Sequence, residues 1–285
     1  MEIQGSAAGR MMPKITAAGR NAGQAPEDLQ VQLHSDRIWE DQEALIKPSR
    51  EPGEKPVTPT VILTFTQPDY QTLCRLAQAA AGARQIFSCP CRSGSWEGIA
   101  LTITGPVLGA PYAAMVLERL IALGARRVLA LGWCGSVSPR VRLGSLILPN
   151  QAISGDGTSP HYRSEPGDLF PHSGLYEILA SGLRGRKIPW HTGPVWSTDA
   201  FFRETKGLIK SLREQGILGL DLELAALFAV SRFRAVPLAG LLVVSDELFA
   251  LQWHPAKGSQ PFRQARDAAI RLLLEAAVKA EKHNV

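Results

Sequence analysis

The chain has 285 residues, of which 45% are hydrophobic and 20% charged, and its net charge at pH 7 is +5. This balance is typical of a globular protein with one large domain. The basic residues are scattered rather than interleaved with aromatics, which argues against nucleic acid as the main partner. The four cysteines form no CxxC pair, and no apolar stretch approaches the length of a membrane-spanning helix. We therefore expect no structural metal, no membrane contact and a reduced, cytoplasmic location.

The first 55 residues differ from the rest of the chain. They are rich in Gly, Ala, Pro, Gln and charged residues, show no sustained hydrophobic period, and end in a segment with prolines at 48, 52 and 56. Such a composition buries too little apolar surface to offset the entropy of ordering the chain. The sequence predicts a flexible N-terminal arm over residues 1–55, with a short helix possible at 33–46, and a folded domain over residues 56–285.

Strand-like and helical runs alternate after residue 57. Strands are predicted at 61–65, 98–104, 128–131, 145–148, 192–196 and 238–244, and helices at 69–81, 111–123, 174–183, 205–213, 221–234 and 260–282. This alternation is the pattern of an α/β fold.

Two carboxylates stand where apolar sequence would be expected to continue. Glu223 lies in the predicted helix 221–234, where helical spacing places it on an apolar face, and Asp246 follows the buried strand 238–244. Burial of an ionised carboxylate is costly without a partner, and ligands bind at the carboxyl ends of such strands. We interpret the pair as a site that binds hydroxyls and moves protons. Structural alternatives are that Asp221 caps the helix, that Glu223 pairs with an arginine, and that Asp246 caps a following helix.

Two glycine-bearing turns follow apolar strands. In the turn 105–111, Pro111 is placed as the first helical residue, which leaves backbone N–H groups near Gly109 free to hold an anion. The turn 132–135 carries Trp133 and Cys134 beyond the next strand. Neither turn fits a dinucleotide-binding or Walker pattern, so a dinucleotide or nucleoside triphosphate is disfavoured. The alternative is that these glycines only turn the chain.

An aromatic pair and a histidine complete the candidate residues. Phe201 and Phe202 follow a predicted strand, and two consecutive aromatics cannot both face the core of one strand, so one is free to stack on a planar ligand. Packing of both in the core is the alternative. His161 lies in a loop and is a binding candidate rather than a metal ligand, because it has no suitably spaced partner.

Together these segments resemble the nucleoside phosphorylase superfamily, which includes purine nucleoside phosphorylase, uridine phosphorylase and methylthioadenosine nucleosidase. The resemblance spans about residues 60–280. It is carried by GILGLDLE at 216–223, VSD at 244–246 and GWCG at 132–135, with support from residues 156–162 and 198–202.

The resemblance implies a phosphorylase-like three-layer α/β/α sandwich with a mixed, partly barrel-like central sheet, and a catalytic domain over residues 56–285. Glu223 matches the glutamate that binds the ribose hydroxyls, and Leu222 stands where a Met packs against the sugar. Asp246 matches the purine-type acid that protonates or hydrogen-bonds the base at N7. A base pocket is implied for Phe201, Phe202, Cys134 and Gly135. Uridine phosphorylases lack the Ser-Asp pair, which favours a purine base.

The phosphate site departs from the family pattern. Tyr70 and Ala130 stand where phosphorylases carry arginines, and Trp133 replaces a phosphate-binding Ser or Thr. Gly105, Trp133 and Arg92 remain as candidate phosphate-binding residues, with Arg92 near the position of an arginine that reaches a neighbouring subunit. Because bidentate arginines are strong phosphate anchors, their loss weakens the prediction of phosphorolysis.

The predicted function is cleavage of a purine-type nucleoside by phosphorolysis, giving the free base and a pentose 1-phosphate. Two alternatives stay open: a hydrolytic nucleosidase, although residues 64–70 lack the glutamate-rich segment of the hydrolytic relatives, and a nucleoside-binding protein whose chemistry has decayed. The resemblance implies no cofactor, with phosphate as co-substrate. It also implies a homo-oligomer, either a dimer or a trimer of dimers.

Overall fold

In the computed structural model, which describes residues 44–80, 82, 84–162, 169–256 and 258–285, ten strands form one mixed sheet. The strands are β1 Thr60–Thr64, β2 Arg84–Ile86, β3 Cys89–Trp96, β4 Ile99–Thr104, β5 Arg127–Ser136, β6 Leu146–Gly155, β7 Trp190–Thr198, β8 Gly219–Asp221, β9 Leu238–Glu247 and β10 His254–Pro255. The helices are α1 Gln67–Leu76, α2 Ala110–Ala122, α3 Ser173–Arg184, α4 Lys206–Glu214, α5 Leu224–Phe233 and α6 Gln260–Lys282. Short 3₁₀ turns lie at Ser159–Tyr162 and Phe201–Arg203.

Part of the sheet closes into a barrel. The strand order is β10-β9-β6-β7-β8-β5-β1-β4-β3-β2, and β5 also pairs with β9, so β5, β9, β6, β7 and β8 form a closed ring of five strands. The pairs β1–β5 and β5–β9 are parallel, whereas β8 runs antiparallel to β5. The mixed, partly barrel-like sheet predicted from the sequence is therefore confirmed.

Helices cover both faces of the sheet. Strand β1 is buried at every position, as expected for a strand with helices on both sides. Apolar residues of α2 and α5 pack in one core with one face of the sheet, and residues of α1, α3 and α6 pack in a second core with the other face. This is the three-layer α/β/α arrangement. It brings the carboxyl ends of β1, β5 and β9 to the same edge.

The predicted helix 221–234 begins three residues later than expected. Helix α5 starts at Leu224, Asp221 is the last residue of β8, and Glu223 is the N-cap of the helix. The expectation that Glu223 lies on an apolar helix face is therefore wrong. The physical reason is that the Asp221 carboxylate accepts the backbone N–H groups of Glu223 and Leu224, which ends the strand and starts the helix there.

Four strands were absent from the sequence prediction. β2, β8 and β10 have only two or three residues each, and β3 has the sequence CPCRSGSW, which lacks a run of apolar residues. β3 forms because β2 and β4 hydrogen-bond it on either side. Long-range pairing of this kind leaves little trace in the local sequence.

Most of the predicted N-terminal arm, residues 1–43, lies outside the described residues, so its flexibility stays a prediction. The described residues all belong to one compact unit. Near the end of the predicted arm, Glu54 forms an ion pair of 2.6 Å with Arg119 of α2, and the Val57 N–H donates to the Leu123 carbonyl at 3.0 Å. The chain therefore contacts the domain surface from about Glu54 onward.

A fully buried carboxylate, Asp69, connects α1, β5 and α6. One of its oxygens accepts hydrogen bonds from the Thr66 hydroxyl at 2.9 Å and the Trp133 indole N–H at 2.7 Å. The other is bound by the Arg266 guanidinium at 2.8 and 2.7 Å. The Trp133 ring also packs edge-on against Phe262. Asp69 therefore holds the second half of β5 against α1 and α6.

We expect Asp69→Ala to destabilise the protein by about 3–5 kcal/mol, because it leaves the largely buried Arg266 without its counter-charge. The measurement is the free energy of unfolding from urea denaturation. Arg271→Gln is the matched control, since Arg271 is an exposed arginine on the same helix, and its loss should change stability by no more than about 0.5 kcal/mol. A loss below about 1 kcal/mol for Asp69→Ala would contradict this role.

Candidate active site

A cavity of about 250 Å³ opens at the edge where the parallel strands end. Its walls come from the residues after β1, the ends of β5, β8 and β9, and the 3₁₀ turn after β7. Four carboxylates line it: Glu204, Asp221, Glu223 and Asp246. The two acids singled out from the sequence, Glu223 and Asp246, are thus brought together in one cavity.

Asp246 is aimed into the cavity by an irregularity in β9. Cys134 of β5 pairs with Val244, but the next residue, Gly135, pairs with Asp246, so Ser245 is an extra residue that bends the strand. The Ser245 hydroxyl donates to the Asp246 carboxylate at 2.7 Å. Burial raises the pKa of Asp246, while hydrogen bonds from Ser245 and Trp253 oppose that rise. The group is therefore suited to giving up a proton.

Glycine is required opposite Asp246. A Cβ atom on Gly135 would lie 2.9 Å from the Asp246 carboxylate and equally close to Leu248. The expectation that residues 132–135 form a turn beyond a strand is wrong, because they continue β5 and pair with β9. The glycine at 135 lets the acid approach the backbone of this strand. Cys134 also lines the cavity, and burial raises the pKa of its thiol far above the usual range, so the thiol stays protonated.

Glu223 is buried at the start of α5, with only 3% of its surface exposed. One carboxyl oxygen accepts the Gly109 N–H at 2.8 Å and the other accepts the Leu222 N–H at 3.3 Å. The Gly109 N–H was predicted to be free for an external anion, so that expectation is wrong: the protein's own carboxyl group takes it. Burial and the neighbouring Asp221 raise the pKa of Glu223 to about 8.

Asp221 positions Glu223. Its carboxylate accepts the Ser197 hydroxyl at 2.5 Å and the backbone N–H groups of Glu223 and Leu224 at 3.0 and 2.7 Å. The N-cap position of the helix belongs to Glu223 and not to Asp221, as considered from the sequence, but the Asp221 carboxylate does bind the first N–H groups of the helix. Leu222, between the two acids, lines the cavity as an apolar wall.

Glu204 is an acid of this cavity that the sequence reasoning missed. It follows the 3₁₀ turn at Phe201–Arg203, and burial together with the nearby Asp246 carboxylate raises its pKa to about 7. Two such carboxyl groups resist double ionisation, so the pair titrates as a unit. In the sequence Glu204 reads as a loop residue before Thr205, the N-cap of α4. Its only signal is its place two residues after Phe202 of the aromatic pair.

The structure separates the two aromatics. Phe201 lines the cavity, whereas Phe202 is 93% exposed and meets Phe201 edge-on, with ring centroids 5.1 Å apart. Successive side chains of a 3₁₀ turn point about 120° apart, which explains why only one faces inward. Of the predicted base-pocket residues, Phe201, Cys134 and Gly135 are brought together and Phe202 is not. His161, in the turn Ser159–Tyr162, does not line this cavity either.

The predicted phosphate-binding residues do not form one site. A Cβ atom on Gly105 would lie 2.1 Å from the Thr64 hydroxyl, so Gly105 is packed against β1 and does not line the cavity. Arg92 lies in the middle of β3 and lines a different cavity. Trp133 does line the active cavity, but its indole N–H is used by Asp69. Among the described residues that line the cavity there is no arginine, lysine or histidine.

The same described ranges contain neither a metal-binding group of side chains nor a membrane-spanning helix. No group of three or more His, Cys, Asp or Glu residues there is arranged to hold a metal ion. In that part of the chain, no helix combines the length and apolar character needed to cross a membrane.

Comparison with curated proteins finds related phosphorylases. The chain is 27% identical over 188 residues to guanosine phosphorylase of Halorubrum lacusprofundi, covering 65% of this chain and 78% of that protein. It is 26% identical over 187 residues to a DeoD-type purine nucleoside phosphorylase of Jannaschia sp., covering 65% and 79%.

Solved structures share the fold. A uridine phosphorylase from Vibrio fischeri superposes with a TM-score of 0.71 at 24% identity, covering 78% of this chain and 93% of that one. Purine nucleoside phosphorylase from Toxoplasma gondii, in complex with immucillin-H, gives a TM-score of 0.72 at 18% identity and covers 85% and 99%. At these identities the likeness concerns the fold.

The family model described as "Phosphorylase superfamily" matches residues 59–279, which include every strand and helix described above apart from the last turn of α6. Its span contains all four cavity carboxylates. The chain therefore belongs to the phosphorylase superfamily.

Proposed function

We propose that the protein is a nucleoside phosphorylase-type pentosyltransferase that cleaves a purine-type nucleoside into the free base and a pentose 1-phosphate. The observation that carries the proposal is that Glu223 and Asp246, two carboxyl groups with raised pKa values, line one cavity. Membership of the superfamily and the two phosphorylase relatives support it. Such an activity fits a role in purine salvage.

The chemistry requires that opposite charges be stabilised as the glycosidic bond breaks. Positive charge develops on the pentose and negative charge on the departing base. A proton held by the pair Asp246 and Glu204 neutralises the base. Burial raises the pKa of Asp246, and burial together with the Asp246 carboxylate raises the pKa of Glu204 to about 7, so the pair still holds a proton near neutral pH. Glu223 binds the pentose hydroxyls, with one oxygen fixed by Gly109. Phe201 stacks on the base.

The lining of the cavity bears on the choice of acceptor. A phosphate dianion would enter a cavity whose described lining has four carboxylates and lacks cationic side chains. Like charges at close range repel, so phosphate binding here needs a cation from elsewhere, such as a neighbouring subunit of a homo-oligomer. The same observation favours a second candidate function, hydrolysis by water. Phosphorolysis remains the first choice because the relatives above are named phosphorylases.

A panel of purine and pyrimidine nucleosides, assayed with and without phosphate, tests the function. We expect purine release that depends on phosphate and yields one pentose 1-phosphate per base, read by chromatography. Equal rates without phosphate would show a hydrolase. Nucleoside binding without turnover under either condition would show that the chemistry has decayed.

Asp246→Asn should lower kcat about 10²–10⁴-fold, because the variant keeps the shape of the side chain but has no acidic proton to give. Glu223→Ala should raise KM as well as lower kcat, since it removes pentose binding. Steady-state kinetics on the preferred nucleoside measures both effects. Asp267→Asn, an exposed acid on α6, is the matched control and should behave as wild type. Near-normal kcat in Asp246→Asn would rule out the mechanism.

Glu204→Gln should change the pH dependence of kcat/KM. In the wild type the rate should fall as pH rises through about 7, where the Glu204 and Asp246 pair loses its proton. An ionised Glu204 disfavours ionisation of Asp246 and so raises its pKa, which means that its removal lowers that pKa. The fall should therefore begin at lower pH in the variant, in profiles measured from about pH 5 to 9.

Glu214→Gln is the control for this comparison, because Glu214 is an exposed acid at the end of α4. Superimposable profiles for Glu204→Gln and wild type would show that Glu204 takes no part in the proton transfer.

A further inference from the structure

A tryptophan on the β9–β10 hairpin lies beside the active-site acid. β10 runs antiparallel to β9, with Pro255 opposite Asp246 and His254 opposite Glu247. Side chains alternate between the two faces of such a pair, so Trp253, two residues before Pro255, falls on the same face as Asp246. Its indole N–H donates a hydrogen bond to the Asp246 carboxylate. His254 and Glu247 lie on the opposite face, so Trp253 is the contact of this hairpin with the acid.

Packing does not explain the place of Trp253. Its side chain is 64% exposed, so burial of the ring contributes little to stability. It is also not among the described residues that line the active-site cavity. An exposed aromatic whose N–H binds a carboxyl group of the active site is better explained by its effect on that group.

The hairpin itself is anchored to its surroundings. The N–H of Leu248, where the hairpin begins, donates to the Ser136 carbonyl of β5 at 2.8 Å. The Arg213 guanidinium of α4 donates to the Phe249 carbonyl at 3.0 Å, and the Arg142 guanidinium lies 5.0 Å from the centre of the Phe249 ring. After the tryptophan, the pairing of β10 with β9 closes the hairpin. The position of the indole is therefore fixed by contacts that do not involve the acid.

The ionisable groups that face Asp246 in the described part of the chain carry no positive charge. Cys134 faces it from β5, and Glu204 faces it from the turn after β7. Asp221 and Glu223 line the same cavity from the end of β8 and the start of α5. The ionised form of Asp246 is therefore stabilised there by neutral hydrogen-bond donors and not by an opposite charge.

Two such donors bind the Asp246 carboxyl group, the Ser245 hydroxyl at 2.7 Å and the Trp253 indole N–H. A donor binds a carboxylate more strongly than a protonated carboxyl group, so it favours release of the proton. Ser245 is the preceding residue of the same strand, whereas Trp253 comes from the hairpin. The indole therefore fixes the carboxyl group from a second direction.

We propose that Trp253 is a positioning residue for the active-site acid: its indole N–H holds the Asp246 carboxyl group in place and makes it a readier proton donor to the departing base. The proposal rests on the proposed function, because it concerns the same acid. The electron pair of the glycosidic bond passes to the base, which takes the proton from the pair Asp246 and Glu204. The indole keeps its own hydrogen, so Trp253 acts only through Asp246.

Two variants of the full-length protein separate the donor from the ring. Trp253→Phe keeps an aromatic ring without an N–H, whereas Trp253→Gln has no ring but carries an N–H as many bonds from Cβ as the indole N–H. In Trp253→Phe we expect kcat near pH 6 to fall about three- to tenfold, with KM within about twofold of the wild type, because a weaker acid transfers its proton less readily. Trp253→Gln should recover most of kcat. A loss confined to Trp253→Gln would show that the ring matters and would overturn the proposal.

The pH dependence of kcat/KM gives the direction of the effect. Loss of a donor to the ionised form raises the pKa of Asp246, so the fall in rate with rising pH should begin about half a unit higher in Trp253→Phe than in the wild type. This shift is opposite to the one expected for Glu204→Gln. A purely structural defect would lower the rate at every pH, so a profile that keeps its wild-type position contradicts the proposal.

Thermal unfolding tests the contact without turnover. The donor stabilises the folded state most where Asp246 is ionised, so Trp253→Phe should lower the melting temperature more at about pH 8.5 than at about pH 5.5. In an Asp246→Asn background, the effect of Trp253→Phe should be the same at both pH values. An equal loss at both pH values in the otherwise wild-type protein would overturn the proposal. Failure of the wild type to cleave any nucleoside would instead contradict the proposed function, and the melting temperatures would still report whether Trp253 holds Asp246.

Discussion

The geometry of the active site depends on the hydrogen bonds of one buried carboxylate, Asp221. It closes the end of β8 and the start of α5 by accepting two backbone N–H groups, and a third bond from Ser197 ties it to β7. These bonds fix the backbone of Glu223, whose carboxyl group then reaches the Gly109 N–H at the start of α2. Strand β8 itself is part of the closed ring of strands. The residue that ends β8 beside β7 in the ring of strands is thus also the residue that positions Glu223.

Four carboxyl groups can share a cavity of this size only if they are not all ionised. Burial raises the pKa of each of them, Asp221, Glu204, Glu223 and Asp246, although three hydrogen-bond donors oppose the rise at Asp221. Protons are therefore retained at neutral pH in the place where a departing base would need one. The same desolvation that makes these groups costly to the fold makes them useful acids.

Much of the site could be predicted from the sequence, but not always for the right reason. Asp246 was correctly placed, because a long apolar run predicts a central strand and its carboxyl end is where ligands bind. Glu223 was found through a helical pattern that does not apply to it, since α5 begins at Leu224, the residue after it. Glu204 could not be found, because its burial comes from long-range packing beside Asp246. The same holds for Arg92, whose strand β3 exists only through pairing with its neighbours.

The contacts of Asp69 bear on whether phosphate or water accepts the pentose. The guanidinium of Arg266 lies 5.3 Å from the centre of the Trp133 ring in β5, and Asp69 neutralises it while also accepting the indole N–H of Trp133. Trp133 therefore presents its ring to the active cavity, and the charge of Arg266 is not available there. For Arg266 to bind phosphate, its buried ion pair with Asp69 would have to break, which costs several kcal/mol. If phosphorolysis occurs, its cation must come from outside the described lining; if water is the acceptor, the site needs no such cation.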